Sequence, residues 1–126
     1  MSDNIKKILV IGLGSMGLGI AESLLRSGYQ VYGQDKSSSQ IEKFKKHGGI
    51  NTDIPYHRID VVVIVVLNEI QTRDILFGKD ALSKKLKANS LVMVCTTVSP
   101  KFAKEMDILC QSESLLYLDA PISGGS

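Results

Sequence analysis

The chain has 126 residues, of which 44% are hydrophobic and 22% are charged. That length suits one domain with its own core, and the composition excludes a disordered chain. The net charge of +2 and the absence of Trp argue against a nucleic-acid-binding surface. The longest apolar run, residues 61–67, is too short to cross a membrane. We therefore expect neither a nucleic-acid nor a membrane partner.

Cysteine and histidine carry little chemistry in this sequence. Cys95 and Cys110 are too few for a disulfide framework, so both are predicted to be reduced, buried thiols. The N-terminus is polar and does not resemble a signal peptide, so a cytoplasmic location is expected. His47 and His57 show no catalytic or metal-binding spacing, and no metal site is predicted.

Short β-branched runs alternate along the chain with segments whose apolar residues have helical spacing. Strands are predicted at residues 6–11, 30–35, 50–52, 60–67, 91–95 and 115–120. Helices are predicted at residues 16–26, 40–47, 70–77, 81–86 and 100–111. This alternation predicts parallel strands joined by right-handed crossovers. The expected fold is an α/β, doubly wound, mainly parallel six-stranded sheet in the order 3-2-1-4-5-6, with helices on both faces.

A glycine pattern follows the first predicted strand and opens the first helix. It is G-x-G-x-x-G, formed by Gly12, Leu13, Gly14, Ser15, Met16 and Gly17. In this context the first glycine permits a tight turn, the second lets a pyrophosphate approach the backbone, and the third lets the helix pack close to the strand. The helix N-terminus would supply amide donors to the phosphates. The loop predicts a Rossmann-like dinucleotide-binding fold; the alternative is a glycine-rich turn without a ligand.

Asp35 ends the second predicted strand, 23 residues after Gly12. An acid at this position accepts hydrogen bonds from the hydroxyls of the adenosine ribose and repels a 2′-phosphate, which favours NAD over NADP. Lys36 and Ser37 could each contact a phosphate, so NADP stays possible. A solvated aspartate in a turn is the alternative without a ligand.

Two further loops at the same edge carry small and polar residues. Thr96 and Thr97 follow the fifth predicted strand, where a nicotinamide would lie. Ser99 is a natural N-cap for the next helix, so a structural role for this loop is the alternative. After the last strand, residues 123–125 offer a hydroxyl and backbone amides that suit a carboxylate, unless the segment is a plain linker.

Taken together, these motifs resemble the β-hydroxyacid dehydrogenase family, which includes 3-hydroxyisobutyrate dehydrogenase. The similarity rests on residues 12–17, 96–100 and 118–125, and it extends over the whole chain. Residues 68–72 and 75–78 resemble most closely the L-threonate dehydrogenase branch of that family. The resemblance implies that residues 1–126 form the NAD(P)-binding domain of such an enzyme.

The resemblance also implies a role for each candidate residue. The glycine loop and Asp35 would hold NAD, or alternatively NADP, and Leu67 and Thr96 would border the nicotinamide. The carboxylate of a small hydroxy-acid substrate would bind Ser123, Gly124 and Gly125. The implied reaction is reversible hydride transfer between the nicotinamide and the carbinol carbon of that substrate.

Two departures from the family bear on these expectations. Residues 52–60 look short, with Pro55 where the family usually has a small helix, so one wall of the cleft would differ. Family members are also more than twice as long. The resemblance implies that an all-helical domain carrying the catalytic Lys, a general acid/base, is absent. No catalytic residue is therefore expected in this chain, and the full-length protein is expected to be a homo-oligomer.

Two other functions remain open at this point. An NADPH-dependent semialdehyde reductase of the same family would bind its cofactor in the same loop, and Asp35 would discriminate between the two. A non-catalytic, stand-alone nucleotide-binding module would bind dinucleotide without any turnover.

Overall fold

A single parallel sheet of five strands is present in a computed structural model that describes residues 5–121. Its strands are β1 Lys7–Ile11, β2 Gln30–Gln34, β3 Val61–Ile64, β4 Leu91–Val94 and β5 Leu116–Asp119. Their order is β2-β1-β3-β4-β5. The connecting α-helices are α1 Ser15–Arg26, α2 Ser38–Lys46, α3 Glu69–Phe77 and α4 Pro100–Ser112. Within this part of the chain, no helix is both long enough and apolar enough to cross a membrane.

The sheet has a hydrophobic core on each face because successive strand residues point to opposite sides. In β1, Leu9 belongs to the core that contains Phe102 of α4. Its neighbour Val10 belongs to the other core, together with Ala21 of α1 and Phe44 of α2. The prediction of a parallel α/β sheet with helices on both faces is confirmed.

The prediction of six strands is wrong for the described residues. The predicted third strand, residues 50–52, is reduced to one parallel bridge between Ile50 and Tyr32 of β2. The ladder ends there because the Asn51 side chain, and not a main-chain N–H, donates to the Gly33 carbonyl at 2.8 Å. Two residues later Asp53, with a φ of 51°, turns the chain away. The five strands therefore have the order 2-1-3-4-5, and Ile50 lies beside β2, where the sequence predicts strand 3.

A helix predicted at residues 81–86 is also absent from the described chain. The segment contains only a 3₁₀ turn, Leu82–Lys84, which Ala81 enters without a side-chain cap. A segment this short forms too few hydrogen bonds to offset the cost of helix nucleation. Burial of Leu82 in the core holds the turn in place instead.

Both cysteines are buried and neither forms a disulfide, as the sequence predicts. Burial raises the pKa of the Cys95 thiol, and the nearby Asp119 carboxylate adds to this effect. Burial likewise raises the pKa of Cys110 to about 12, with a further contribution from Asp107. Both side chains are therefore protonated thiols that fill space in the core, and neither has the character of a nucleophile.

Asp60 joins three segments at the amino edge of the sheet. Its carboxylate accepts a hydrogen bond from the Lys7 N–H at 2.8 Å and lies 2.7 Å from the Lys87 ammonium nitrogen. Burial alone would raise the pKa of this carboxyl group. The hydrogen bond from Lys7 and the charge of Lys87 outweigh burial, and they hold the pKa of Asp60 below its usual value.

The lowered pKa of Asp60 predicts a pH dependence of folding. A carboxylate with a lower pKa in the folded state stabilises the fold above its unfolded pKa, about 4, and stops doing so as the pH falls through the folded pKa. We expect Asp60→Asn to lower the free energy of unfolding by about 1 kcal/mol at pH 7 and by less at pH 2.5. Urea unfolding at the two pH values measures both effects. An equal loss at both would show that the charge of Asp60 does not stabilise the fold.

Candidate functional site

A cleft of about 1000 Å³ opens at the carboxyl edge of the sheet, where the loops after β1, β2, β3 and β4 meet. Eight of the nine predicted cofactor-binding residues line this cleft: Gly12, Gly14, Ser15, Met16, Gly17, Asp35, Leu67 and Thr96. The ninth, Leu13, is fully buried and belongs to the core shared with α1 and α2. The fold thus brings candidates from four separate loops to one place.

The three glycines of the loop meet three different steric conditions. Gly12 has a φ of 98°, and a Cβ atom there would lie 1.9 Å from the Val65 carbonyl oxygen. A Cβ at Gly17 would lie 1.8 Å from the Gly12 carbonyl oxygen, so glycine lets α1 approach the loop this closely. At Gly14, by contrast, no neighbouring atom lies within 4 Å of the Cβ position. Gly14 therefore leaves open space, in which a ligand can approach the backbone.

The first turn of α1 begins at this open position without a side-chain cap. Gly14 is the N-cap residue, and the first turn carries no acidic side chain. The other three α-helices begin on Ser37, Asn68 and Ser99, whose side chains each accept a hydrogen bond from a first-turn N–H. The capping role predicted for Ser99 is therefore confirmed. The N–H groups and the positive dipole end of α1 suit an anion such as a pyrophosphate.

Asp35 follows β2 and is already hydrogen-bonded to the main chain on both carboxylate oxygens. Oδ2 accepts from the Leu13 N–H at 2.6 Å, and Oδ1 accepts from the Ser37 N–H at 2.7 Å. A carboxylate has about four acceptor positions, so two remain for other donors in the cleft. Asp35 thus stabilises the conformation of the glycine loop through its hydrogen bond to Leu13, a role that the sequence did not indicate.

Thr96 joins the loops that follow β3 and β4. Its hydroxyl donates to the Val66 carbonyl at 2.9 Å and accepts from the Val66 N–H at 3.2 Å. Thr96 is buried, whereas Leu67 exposes 86% of its surface beside the cleft. Leu67 can therefore offer an apolar surface to a ligand, while the Thr96 hydroxyl already has a donor and an acceptor within the protein.

Sequence reasoning missed part of the cleft lining, namely Asn51, Gln71, Asp74 and Ile75. Three of these residues lie on α3 at the spacing i, i+3 and i+4, which places them on one face of the helix. That spacing, in a helix that follows a strand ending at the cleft, is the signal that would have identified them. Asn51 has no such signal, because its position depends on the bridge at Ile50.

The remaining candidates divide into those that the structure places and those that it does not. Outside the described residues lie the predicted substrate-binding residues Ser123, Gly124 and Gly125. Neither His47 nor His57 lines the cleft, and Nε2 of His47 lies 3.2 Å from the Glu22 carboxylate. Between residues 5 and 121, no three His, Cys, Asp or Glu side chains are grouped so that they could hold a metal ion.

A parallel sheet in this order, with a glycine loop leading into an uncapped helix, defines a Rossmann-like nucleotide-binding domain. Residues 7–126 match the family described as the NAD binding domain of 6-phosphogluconate dehydrogenase, and the chain belongs to that family. It is also 39% identical over 124 residues to L-threonate dehydrogenase of Cupriavidus necator, a match that covers 96% of this chain and 42% of that protein. The resemblance to the β-hydroxyacid dehydrogenases, and to their L-threonate branch, is confirmed.

Solved structures of related proteins share this fold. A 3-hydroxyisobutyrate dehydrogenase from Salmonella typhimurium is 35% identical with a TM-score of 0.87, over 95% of this chain and 43% of that chain. An imine reductase from Myxococcus stipitatus in complex with NADP+ is 27% identical with a TM-score of 0.80, over 90% of this chain and 39% of that chain. The chain thus spans about two fifths of the length of the relatives that it matches.

Proposed function

We propose that the cleft binds NAD as the dinucleotide-binding part of a dehydrogenase for a small hydroxy acid of the L-threonate or 3-hydroxyisobutyrate type. The observation that carries this proposal is the open space at the Cβ position of Gly14. At Gly12 and Gly17, by contrast, a Cβ atom would meet a carbonyl oxygen. No described neighbour requires glycine at position 14, whereas a pyrophosphate that approaches the backbone does.

Each part of the cleft has a distinct role in this proposal. The N–H groups of the glycine loop, from Gly12 to Gly17, bind the pyrophosphate at the N-terminus of α1. Asp35 accepts hydrogen bonds from the adenosine ribose, and Leu67 and Thr96 border the nicotinamide. When bound, the nicotinamide supplies hydride transfer to or from the carbinol carbon of the substrate. The chain's own residues bind and orient the two reactants.

The substrate side of the site is proposed from the family resemblance. The substrate carboxylate would bind Ser123, Gly124 and Gly125. The general acid/base Lys would belong to an all-helical domain outside residues 1–126. We therefore expect this chain alone to bind dinucleotide without turnover. When L-threonate and NAD+ are added, the absorbance of NADH should not increase.

Assembly and location also belong to the proposal. The family resemblance supports a homo-oligomer for the full-length protein. Leu116 and Leu118 on the edge strand β5 expose 54% and 45% of their surfaces, an apolar face for a second copy or for the all-helical domain to cover. The two free, buried thiols support a cytoplasmic location.

Asp35→Ala is expected to change the cofactor preference. The variant loses an acceptor for the ribose of NADH and loses the carboxylate that repels the 2′-phosphate of NADPH. It also frees the Leu13 N–H, which weakens both cofactors alike. We expect the Kd for NADH to rise about tenfold and the Kd for NADPH to rise less. Titrations that follow the fluorescence of NADH and NADPH measure both dissociation constants. The chain has no Trp, so Trp emission does not contribute to the signal.

Glu42→Ala is the matched control, because Glu42 is an exposed acid on α2 and does not line the cleft. It should leave both constants unchanged. Equal weakening of the two cofactors by Asp35→Ala would remove the basis for preferring NAD.

An NADPH-dependent semialdehyde reductase is the second candidate, and one observation favours it. Lys36 lines the cleft beside Asp35, where an ammonium group could neutralise a 2′-phosphate. Tighter binding of NADPH than of NADH by the unmodified chain would select this candidate. Binding of neither cofactor by the folded chain would contradict both.

A further inference from the structure

Leu13 lies between the first two glycines of the loop, and side chains from the segment after β2 hold both of its polar main-chain groups. Its N–H donates to Asp35 Oδ2 at 2.6 Å, and its carbonyl accepts from Gln40 Nε2 at 2.6 Å. Its side chain is fully buried. The conformation of the glycine loop after β1 therefore depends on contacts made by the loop after β2 and by α2.

The Gln40 side chain is available for this contact because the Asp35 carboxylate, and not Gln40, accepts the hydrogen bond from the N-cap N–H of α2. Ser37 and Gln40 have the S-x-x-Q spacing of a capping box, in which the glutamine side chain reaches back to the N–H of the N-cap serine. Here the Ser37 Oγ accepts from the Gln40 N–H at 3.4 Å, but the Ser37 N–H donates to Asp35 Oδ1 at 2.7 Å. The Gln40 amide can thus donate to the Leu13 carbonyl.

We infer that Gln40 is a positioning residue that orients the Gly14 N–H for a dinucleotide pyrophosphate, an inference that rests on the proposed function. The C=O and N–H of a trans peptide group point in opposite directions. A hydrogen bond that holds the Leu13 carbonyl toward Gln40 therefore also fixes the direction of the Gly14 N–H. The next carbonyl, that of Gly14, is held as well, because it accepts a hydrogen bond from the Leu18 N–H at 2.8 Å.

Two substitutions separate this role from the capping of α2. Glutamate is as good as glutamine in a capping box, but a carboxylate cannot donate to a carbonyl. Q40E therefore keeps the helix start and loses the donor. Q40M keeps the length of the side chain, loses the donor and adds no charge near the pyrophosphate. Q111M on α4 is the matched control, because Gln111 is exposed and its amide donates to Asp107 on the same helix.

The experiment compares these variants of the whole chain by amide NMR, with two ligands that differ in the pyrophosphate. We expect Q40M and Q40E each to raise the Kd for ADP-ribose about three- to tenfold, the range set by one hydrogen bond. The Kd for adenosine should stay unchanged, because adenosine lacks the pyrophosphate. Without ligand, the amide resonance of Gly14, which shares a peptide group with the Leu13 carbonyl, should shift in both variants. Q111M should alter none of these values.

Two results would overturn the inference. One is an unchanged Kd for ADP-ribose in Q40M, and the other is an equal rise for ADP-ribose and adenosine, which would indicate general loosening of the fold. If the unmodified chain bound neither ligand, the proposed function would fail instead. The amide resonance of Gly14 in the variants without ligand would then decide on its own whether Gln40 holds the loop.

Discussion

Gly12→Ala is expected to lower the free energy of unfolding by about 3 kcal/mol. The new methyl group would meet the Val65 carbonyl oxygen at 1.9 Å, and the φ of 98° is unfavourable for any residue with a Cβ. The Val65 carbonyl cannot retreat easily, because the Val65 N–H donates to the Ile11 carbonyl at 2.8 Å. Urea unfolding followed by circular dichroism measures the loss.

Gly19→Ala is the matched control for this prediction. Gly19 lies in α1, and a Cβ there would meet no atom within 4 Å. Because alanine is the better helix former, this variant should gain about 0.5 to 1 kcal/mol. A Gly12→Ala variant as stable as the unmodified chain would contradict the close approach of the loop to Val65.

Gly14→Ala is expected to have the opposite profile, with a large effect on binding and little on folding. The φ of −63° and ψ of −174° at Gly14 suit any residue, and a methyl group there would meet no atom of the protein within 4 Å. It would instead occupy the space into which a pyrophosphate must come. We expect the Kd for NADH to rise at least about tenfold, equivalent to 1.4 kcal/mol, while the free energy of unfolding changes by less than about 0.5 kcal/mol.

Gly19→Ala again serves as the control, since it should leave the Kd for NADH unchanged. Unimpaired NADH binding by Gly14→Ala would remove the observation on which the proposed function depends. A large loss of stability in the same variant would mean that the fold itself requires glycine at position 14. The glycine would then not be evidence for a ligand.

The glycine loop was predictable because its requirements are local and steric. Gly12, Gly14 and Gly17 stand at fixed offsets after a strand, and the structure shows the close contacts expected at Gly12 and Gly17 and open space at Gly14. The parallel strands were predictable for a similar reason, since short β-branched runs alternate with helical segments. The third strand was not, because its length was decided by the side chain of Asn51 and the turn at Asp53.

The hydrogen bonds that Asp35 and Gln40 make to the glycine loop could not be predicted from the sequence. Asp35 matches a ribose-binding position by its spacing, yet its contact to Leu13 exists only once β1 and β2 lie side by side. The link between Gln40 and Leu13 is equally a product of tertiary structure, because the two residues are 27 apart in the chain. Thr96 was expected beside a nicotinamide by its position, but the two hydrogen bonds between its hydroxyl and Val66 could not be predicted.

Amide NMR spectra of the chain, recorded during a titration with NADH, report residue by residue whether the cleft binds a dinucleotide. We expect saturable shifts at the amides of Gly12, Gly14 and Gly17, with smaller shifts at Asp35 and Thr96. The amides of α4, away from the cleft, should stay in place. A folded chain with no saturable shifts, or with shifts confined to the edge strand β5, would contradict the claim that this cleft binds a dinucleotide.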